Sequence, residues 1–199
     1  MTETLLFFVK YPEPGRVKTR LAREVGEEEA ARIYRSLVES NLKELRALNG
    51  PAQVVIAFDP PEAEEKVRSW LPGFDAYLPQ VEGGLTERLS AGFQTAFNEG
   101  AAKVLALGSD TIGLKAGHVT KAFEALERYD VVLGPAKDGG YYLIGLSQPE
   151  PALFEKIPWS TSQVLSTTLS RAKERGLSFF LLEELEDLDE SQNLKGVTL

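Results

Sequence analysis

The chain has 199 residues, with 22 lysines and arginines against 30 aspartates and glutamates, a formal charge of −8 that argues against a protein coating nucleic acid. It has no cysteine and one histidine, which excludes disulfides, thiolate catalysis, Cys-based zinc sites and His-rich metal clusters. Hydrophobic residues make up 43% and charged residues 26%, values ordinary for a folded soluble chain long enough to bury a core.

From the amino end, "TLLFFVK" (residues 4–10) is a short apolar run before a turn, the pattern of a fully buried strand. No basic leader precedes it, and no apolar stretch approaches the ~20 residues that span a bilayer, so a cytoplasmic protein without a membrane span is expected. Residues 27–48 space Ala30, Ile33, Tyr34, Leu37, Val38, Leu42, Leu45 and Leu48 three and four apart, predicting a long amphipathic helix. "AQVVIAF" reads as the next strand, and "PPEAEEKVRSWL" as a helix with proline in its first turn. "FDAYL" is a short strand, and "GGLTERLSAGFQTAFNEG" a helix entered by two glycines and closed by one. "KVLALG" is a strand that stops at "SDTIGL"; a helix over roughly 117–127 and the strand "DVVLGPA" follow. "KDGGYYLIGL" turns through Gly139 and Gly140 into a further strand, so this hairpin places one antiparallel strand in the sheet. "STSQVLSTTLSRAKERG" is a helix with Ser160 or Thr161 at its N-cap, "LSFFLL" the last clear strand, and 183–190 an acidic segment. Strands alternate with helices throughout. The expectation is one α/β domain over 1–199, a Rossmann-like three-layer sandwich on a mostly parallel sheet.

In such sheets ligands bind beyond the carboxyl ends of the strands. Three unusual segments fall there. The loop "KYPEPGRVKTRL" carries Lys10, Arg16, Lys18 and Arg20, with Arg23 just beyond, against Glu13 alone. Gly15 lets backbone approach a ligand, a helix start near Lys18 offers N–H groups, and Lys18 and Arg20 can bond phosphate oxygens. The loop is neither a P-loop nor a dinucleotide fingerprint, and a solvated surface loop has the same composition. Asp110 in "LALGSDT" follows an apolar strand directly; it suits either a turn or a carboxylate ligand for Mg²⁺. Asp138 precedes two glycines, which makes either a hairpin turn or a second site carboxylate. Trp159 reads equally as a core anchor or a ligand wall, and His118 as a surface residue.

Taken together, "KYPEPGRVKTRL", "GGLTERL", "GSDTIGL", "GPAKDGGYYLIGL", "IPWSTSQVL" and "LEDLDESQNL" resemble a bacterial family in the glycosyltransferase-A (nucleotide-diphospho-sugar transferase) superfamily. Within it the chain is similar to the molybdenum-cofactor and phospholactate guanylyltransferases. The segments occur in the family's order over nearly the whole chain. Two positions depart: Thr86 stands where a glycine is expected, and Ile112 where a proline is common. The resemblance implies a nucleotide donor, a small-molecule acceptor and Mg²⁺ or Mn²⁺. Pro14 to Arg20, including Gly15, Lys18 and Thr19, would hold the donor phosphates, with Gly84 and Arg88 near the nucleotide. Asp110 would bind the metal. Asp138, Gly139, Gly140, Tyr141, Trp159, Ser160 and Thr161 would line the acceptor side, and Lys18, Arg20, Asp110 and Asp138 would carry the chemistry. The basic loop, suited to a long polyphosphate, favours nucleotidyl transfer from a nucleoside triphosphate to a small phosphorylated acceptor. Glycosyl transfer from a nucleotide sugar, and a catalytically silent nucleotide-binding domain, are the alternatives.

Overall fold

The computed structural model describes residues 2–48 and 52–189. Nine strands and six α-helices run in chain order through these residues. They are β1 (Glu3–Lys10), α1 (Thr19–Val25), α2 (Glu27–Arg46), β2 (Gln53–Asp59), α3 (Glu64–Trp70), β3 (Ala76–Pro79), α4 (Leu85–Asn98) and β4 (Lys103–Gly108), then β5 (Thr111–Ile112), α5 (Ala116–Ala125), β6 (Val131–Pro135), β7 (Tyr141–Leu146), α6 (Val164–Glu174), β8 (Phe179–Leu181) and β9 (Glu186–Asp187). Seven strands form one sheet in the order β3-β2-β1-β4-β7-β6-β8. Neighbours pair in parallel except around β7, which is antiparallel to both β4 and β6. The hairpin read from "GPAKDGGYYLIGL" is therefore the source of the single antiparallel strand.

Alternation along the strands explains the three layers. Leu5, Phe7 and Val9 of β1 join a core with Val38 and Leu42 of α2, Val67 of α3 and Val119 and Ala122 of α5. Leu6, one residue out of step, joins Leu89 and Phe93 of α4 and Ala172 of α6 on the other face. Successive strand residues point to opposite faces, so one apolar run feeds two cores.

Three elements depart from expectation. Helix α6 starts at Val164 with Gln163 as its N-cap, not Ser160 or Thr161; Ser160, in a left-handed conformation (φ 62°), belongs to the turn that precedes it. The Thr161 hydroxyl accepts from the Gln163 N–H at 3.3 Å, a local turn ahead of the helix. The short strands β5 and β9 pair with each other as a separate two-stranded sheet, Thr111 opposite Asp187. His118 is only 15% exposed at its side chain, and its Nδ1 accepts the Lys115 N–H at 3.0 Å, capping α5. Both positions that depart from the family pattern have packing roles. Ile112 packs against the small cluster of Leu21, Ile33, Leu37 and Leu188. The Thr86 hydroxyl accepts the Trp159 indole N–H at 2.8 Å and donates to the Phe154 carbonyl at 2.8 Å.

No described helix is long and apolar enough to cross a membrane.

Candidate functional site

The strand order reverses between β1 and β4, since β2 and β3 lie to one side of β1 and β4, β7, β6 and β8 to the other. A crevice opens at the carboxyl edge of such a switch point. Here it is a cavity of about 860 Å³, lined by residues from the loop after β1, the turn after β3, the β4–β5 loop, the β6–β7 turn and the segment before α6. Segments far apart in sequence thus meet at one sheet edge.

The centre of the cavity is an ion pair. Lys18 Nζ lies 2.6 Å from Asp110 Oδ2 and 3.3 Å from Asp189 Oδ1. Lys18 holds a left-handed backbone (φ 46°, ψ 49°) immediately before α1, unusual for a residue with a side chain. Its side chain is 9% exposed. Burial works to lower the Lys18 ammonium's pKa, but the adjacent Asp110 and Asp189 carboxylates outweigh it and raise it above the usual lysine value. Arg20, 67% exposed at its side chain, approaches Asp189 at 3.7 Å. Leu21, one step on, is fully buried and fixes α1 in place.

Asp110 is held by its neighbours on both sides. The Asn41 side chain, buried in α2, donates to the carbonyls of Ser109 (3.2 Å) and Thr111 (2.9 Å). The Tyr34 hydroxyl bonds Ser109 Oγ at 2.8 Å and accepts the Lys10 N–H at 2.9 Å, which ties the end of β1 to the end of β4. Burial pushes the Tyr34 phenol far above its ordinary pKa, so it stays protonated as a structural hydroxyl. The Leu188 N–H donates to the Asp110 carbonyl at 2.9 Å. That bond brings the Asp187–Leu188–Asp189 segment against the site. Alternate residues of an extended segment share a side, while Leu188 between them is fully buried. Asp187 Oδ1 and the facing Thr111 Oγ1 are buried and lack a well-formed hydrogen bond among the described residues. Burial and the nearby Asp110 charge push the Asp187 carboxyl up to about 7.

Among the expected site residues, Lys18, Thr19, Arg20, Gly84, Arg88, Asp110, Asp138, Ser160 and Thr161 line the cavity. Pro14, Gly15, Gly139, Gly140, Tyr141 and Trp159 are not among its lining residues. Gly15 (φ 76°) packs beside Glu27, where an added Cβ would meet Oε2 at 3.1 Å. Gly139 (φ 89°) presses on the backbone of Ser162, where a Cβ would come within 2.4 Å of the carbonyl oxygen. Trp159 is anchored to Thr86 and stands edge-on to Tyr141 with ring centres 6.2 Å apart. Arg88 lines the cavity with its charge already met, since Nη1 lies 3.0 Å from Asp59 Oδ2 and bonds Gln80 Oε1 at 3.1 Å.

Sequence reasoning gave no role to Tyr34, Asn41, Asp187 or Asp189. Tyr34 and Asn41 look like ordinary helix residues, and only the fold carries them to Ser109. The Asp-Leu-Asp spacing inside "LEDLDESQNL" was the one available signal. From residue 190 that segment lies outside the described residues.

Comparison with solved structures places this geometry among transferases. A protein from Desulfovibrio desulfuricans G20, proposed to be a nucleotide-diphospho-sugar transferase, is 36% identical, with a TM-score of 0.91 over 98% of this chain and 87% of its own. The inositol-1-phosphate CTP transferase from T. maritima is 14% identical with a TM-score of 0.60, covering 100% of this chain and 98% of its own. Rv0371c from Mycobacterium tuberculosis H37Rv, solved in complex with manganese, is 13% identical with a TM-score of 0.57, covering 98% of each chain. At such identities the last two show the fold alone. No curated protein matches the chain significantly. A family model described as "uncharacterized protein conserved in bacteria" (DUF2064) matches residues 42–161. The chain therefore belongs to that bacterial family, and it has the nucleotide-diphospho-sugar transferase fold.

Proposed function

We propose that the protein is a metal-dependent transferase that takes a nucleotide donor, and that it transfers the nucleotidyl group of a nucleoside triphosphate to a small acceptor. The observation that carries the reading is the Lys18–Asp110 pair at the switch point, 2.6 Å apart in a cavity of about 860 Å³. In the free protein these opposite charges neutralise each other. A donor polyphosphate offers Lys18 a competing partner and leaves Asp110 in need of a cation. Lys10, Arg16 and Arg20 line the same half of the cavity, which gives a polyphosphate several cations along its length.

The donor set suits Mg²⁺ or Mn²⁺. Both are hard ions that prefer oxygen, and Asp187 Oδ1, buried behind the cavity beside the Asp110 charge, makes no well-formed hydrogen bond among the described residues, with the Thr111 hydroxyl its neighbour. Asp110 and Asp187 would hold the ion, with Asp189 adjacent. Among the described residues no three acidic or histidine side chains converge as a ready-made metal centre, so donor phosphate oxygens would have to supply the remaining ligands. The manganese complex of Rv0371c supports the same class of ion. When bound, the ion would offset charge on the transferring and leaving oxygens. Lys18 would hold the donor phosphates from the opposite side. Asn41 and Tyr34 would keep the β4–β5 loop in register.

Glycosyl transfer from a nucleotide sugar is the second reading, favoured by the proposed activity of the 36%-identical relative. A thermal-shift screen of nucleoside triphosphates and nucleotide sugars with Mg²⁺ or Mn²⁺, followed by product analysis, decides between them. Pyrophosphate release from a triphosphate is expected. Release of a nucleoside diphosphate from a sugar nucleotide would establish the second reading. Saturable binding with no turnover across a broad acceptor panel would count against both and favour a silent nucleotide-binding domain.

A further inference from the structure

The cavity is divided by charge. Its described cations, Lys10, Arg16, Lys18, Arg20 and Arg88, come from β1, the loop after it, α1 and the first turn of α4. The opposite half is built on the β6–β7 turn and the segment before α6. There the described polar lining is Asp138 with Ser160, Thr161 and Ser162, and no lysine or arginine. The two parts of this wall are locked together, because the Leu165 N–H donates to the Gly139 carbonyl at 2.9 Å and Gly139 packs directly on Ser162. Ser160 keeps its left-handed backbone in this wall. Strain of that kind persists only where the surroundings enforce it.

Within the wall the hydrogen-bonding groups differ in their commitments. Thr161 is occupied, donating to the Pro158 carbonyl at 2.7 Å. Among the described residues the Ser160 and Ser162 hydroxyls have no protein partner, although both line the cavity. Asp138 Oδ1 accepts the Gly140 N–H at 2.8 Å, which fixes the carboxylate's orientation. Among the described residues its other oxygen, Oδ2, has no hydrogen-bond partner and no cation forms an ion pair with it.

We infer, building on the transferase reading above, that the acceptor is a neutral polyhydroxylated molecule of the sugar or polyol class, that it attacks through a hydroxyl group, and that Asp138 takes the proton. This replaces the phosphorylated acceptor expected from the sequence. A phosphate on this wall would face the Asp138 carboxylate, and the described lining residues of the wall include no lysine or arginine to balance it. A hydroxyl group meets no such penalty and gains hydrogen bonds from Ser160 and Ser162. A phosphate nucleophile is already anionic and needs no base, whereas a hydroxyl does. In the step, the hydroxyl oxygen bonds to the donor α-phosphorus while the bond from that phosphorus to its bridging oxygen breaks. Pyrophosphate leaves with the electron pair, and the hydroxyl proton passes to Asp138 Oδ2.

The test uses the full chain with Mn²⁺ and the triphosphate that gives the largest thermal shift. Water serves as the simplest hydroxyl nucleophile, and glucose and glucose 1-phosphate as paired probes. Asp138→Asn keeps an oxygen for the Gly140 N–H and so preserves the turn. The variant is expected to bind the triphosphate as the wild type does, yet to release pyrophosphate into water at least about a hundredfold more slowly. In the wild type, glucose is expected to accelerate pyrophosphate release more than glucose 1-phosphate does. Unchanged release in Asp138→Asn, or a larger acceleration by glucose 1-phosphate, would overturn the inference while leaving the donor reading intact. A wild type that binds no triphosphate would overturn both.

Discussion

Lys18 is the residue on which the proposed donor half of the site would depend. It combines a left-handed backbone, a nearly buried side chain and two carboxylate partners. Arg20, by contrast, is two-thirds exposed and meets Asp189 only at 3.7 Å. Replacing Lys18 with alanine should weaken triphosphate binding roughly ten- to a hundredfold, the equivalent of one charge-assisted bond, and Arg20→Ala should do less because solvent screens it. Isothermal titration with and without Mn²⁺ measures both. Equal, negligible effects would mean that the cations only decorate the surface. Lys18→Met carries a second consequence, since it removes the ammonium 2.6 Å from Asp110 while Asp189 keeps Arg20 at 3.7 Å. The variant should therefore bind Mn²⁺ without nucleotide more tightly than the wild type, as read by the resonance of the free ion. Asp187 gives a pH dependence. Burial and the Asp110 charge raise its folded-state pKa to about 7 from the ordinary carboxylate value. The stability that its protonation confers on the metal-free protein is thus fully present below about pH 4 and is lost as pH rises through 7. Asp187→Asn should raise the melting temperature in chelator at pH 8 by about 2–4 °C for each kcal/mol relieved, with no gain at pH 4. An equal gain at both pH values would show that the buried charge is not the cause.

At the scale of elements, the site depends on how helices pin loops. Helix α2 buries Asn41 against the β4–β5 loop, and its two hydrogen bonds satisfy the carbonyls on either side of Asp110. Asn41→Leu matches the side chain roughly in size but leaves both carbonyls without that donor. It should cost about 1–3 kcal/mol in stability, and it should lower metal-dependent turnover by displacing Asp110. Denaturant melts and turnover assays together check this. A stability loss with full activity would reduce Asn41 to a packing residue. The same logic applies to the β5–β9 pair, which has only two residues in each strand and yet brings Asp187 opposite Thr111. Its sequence lacks the length and alternation by which strands are recognised, so pattern reading passes over it. The long strands and helices were legible because their periodicity is local. Helix α1 was visible only as a helix start near Lys18, and the left-handed turn ahead of it has no sequence signature in a lysine.

For the whole molecule, the net charge of −8 and the cationic cavity are compatible because charge is distributed unevenly. Among the described residues five cations and three carboxylates, Asp110, Asp138 and Asp189, line the cavity, an excess of positive charge in an acidic protein. That field would favour the proposed polyanionic donor and falls with ionic strength. A bound donor stabilises the folded state by RT ln(1 + [L]/Kd), about 2.7 kcal/mol at a hundred times Kd. For a chain of this size the matched triphosphate with Mn²⁺ should raise the melting temperature by roughly 5–10 °C. Removing the metal with chelator should reduce most of that shift. A shift unaffected by chelator would argue that Asp110 and Asp187 do not share a metal with the donor.

Local chemistry in the sequence was enough to determine the α/β class, the parallel sheet with its one antiparallel strand, and the placement of Lys18, Asp110 and Asp138 beyond strand ends. Hydrophobic periodicity and turn residues act over a few positions, and they survive in a single chain read from end to end. The tertiary structure decided which of those residues meet. Lys18 reaches Asp110 across 92 positions and Asp189 across 171, and Asn41 reaches Thr111 across 70. The sequence also left Gly139 and Trp159 as candidates for the acceptor side; in the fold neither lines the cavity, Gly139 pressing on Ser162 and Trp159 bonding to Thr86. Contacts of this range arise only when the sheet brings strand ends to one edge, and no pattern within a window of sequence encodes them.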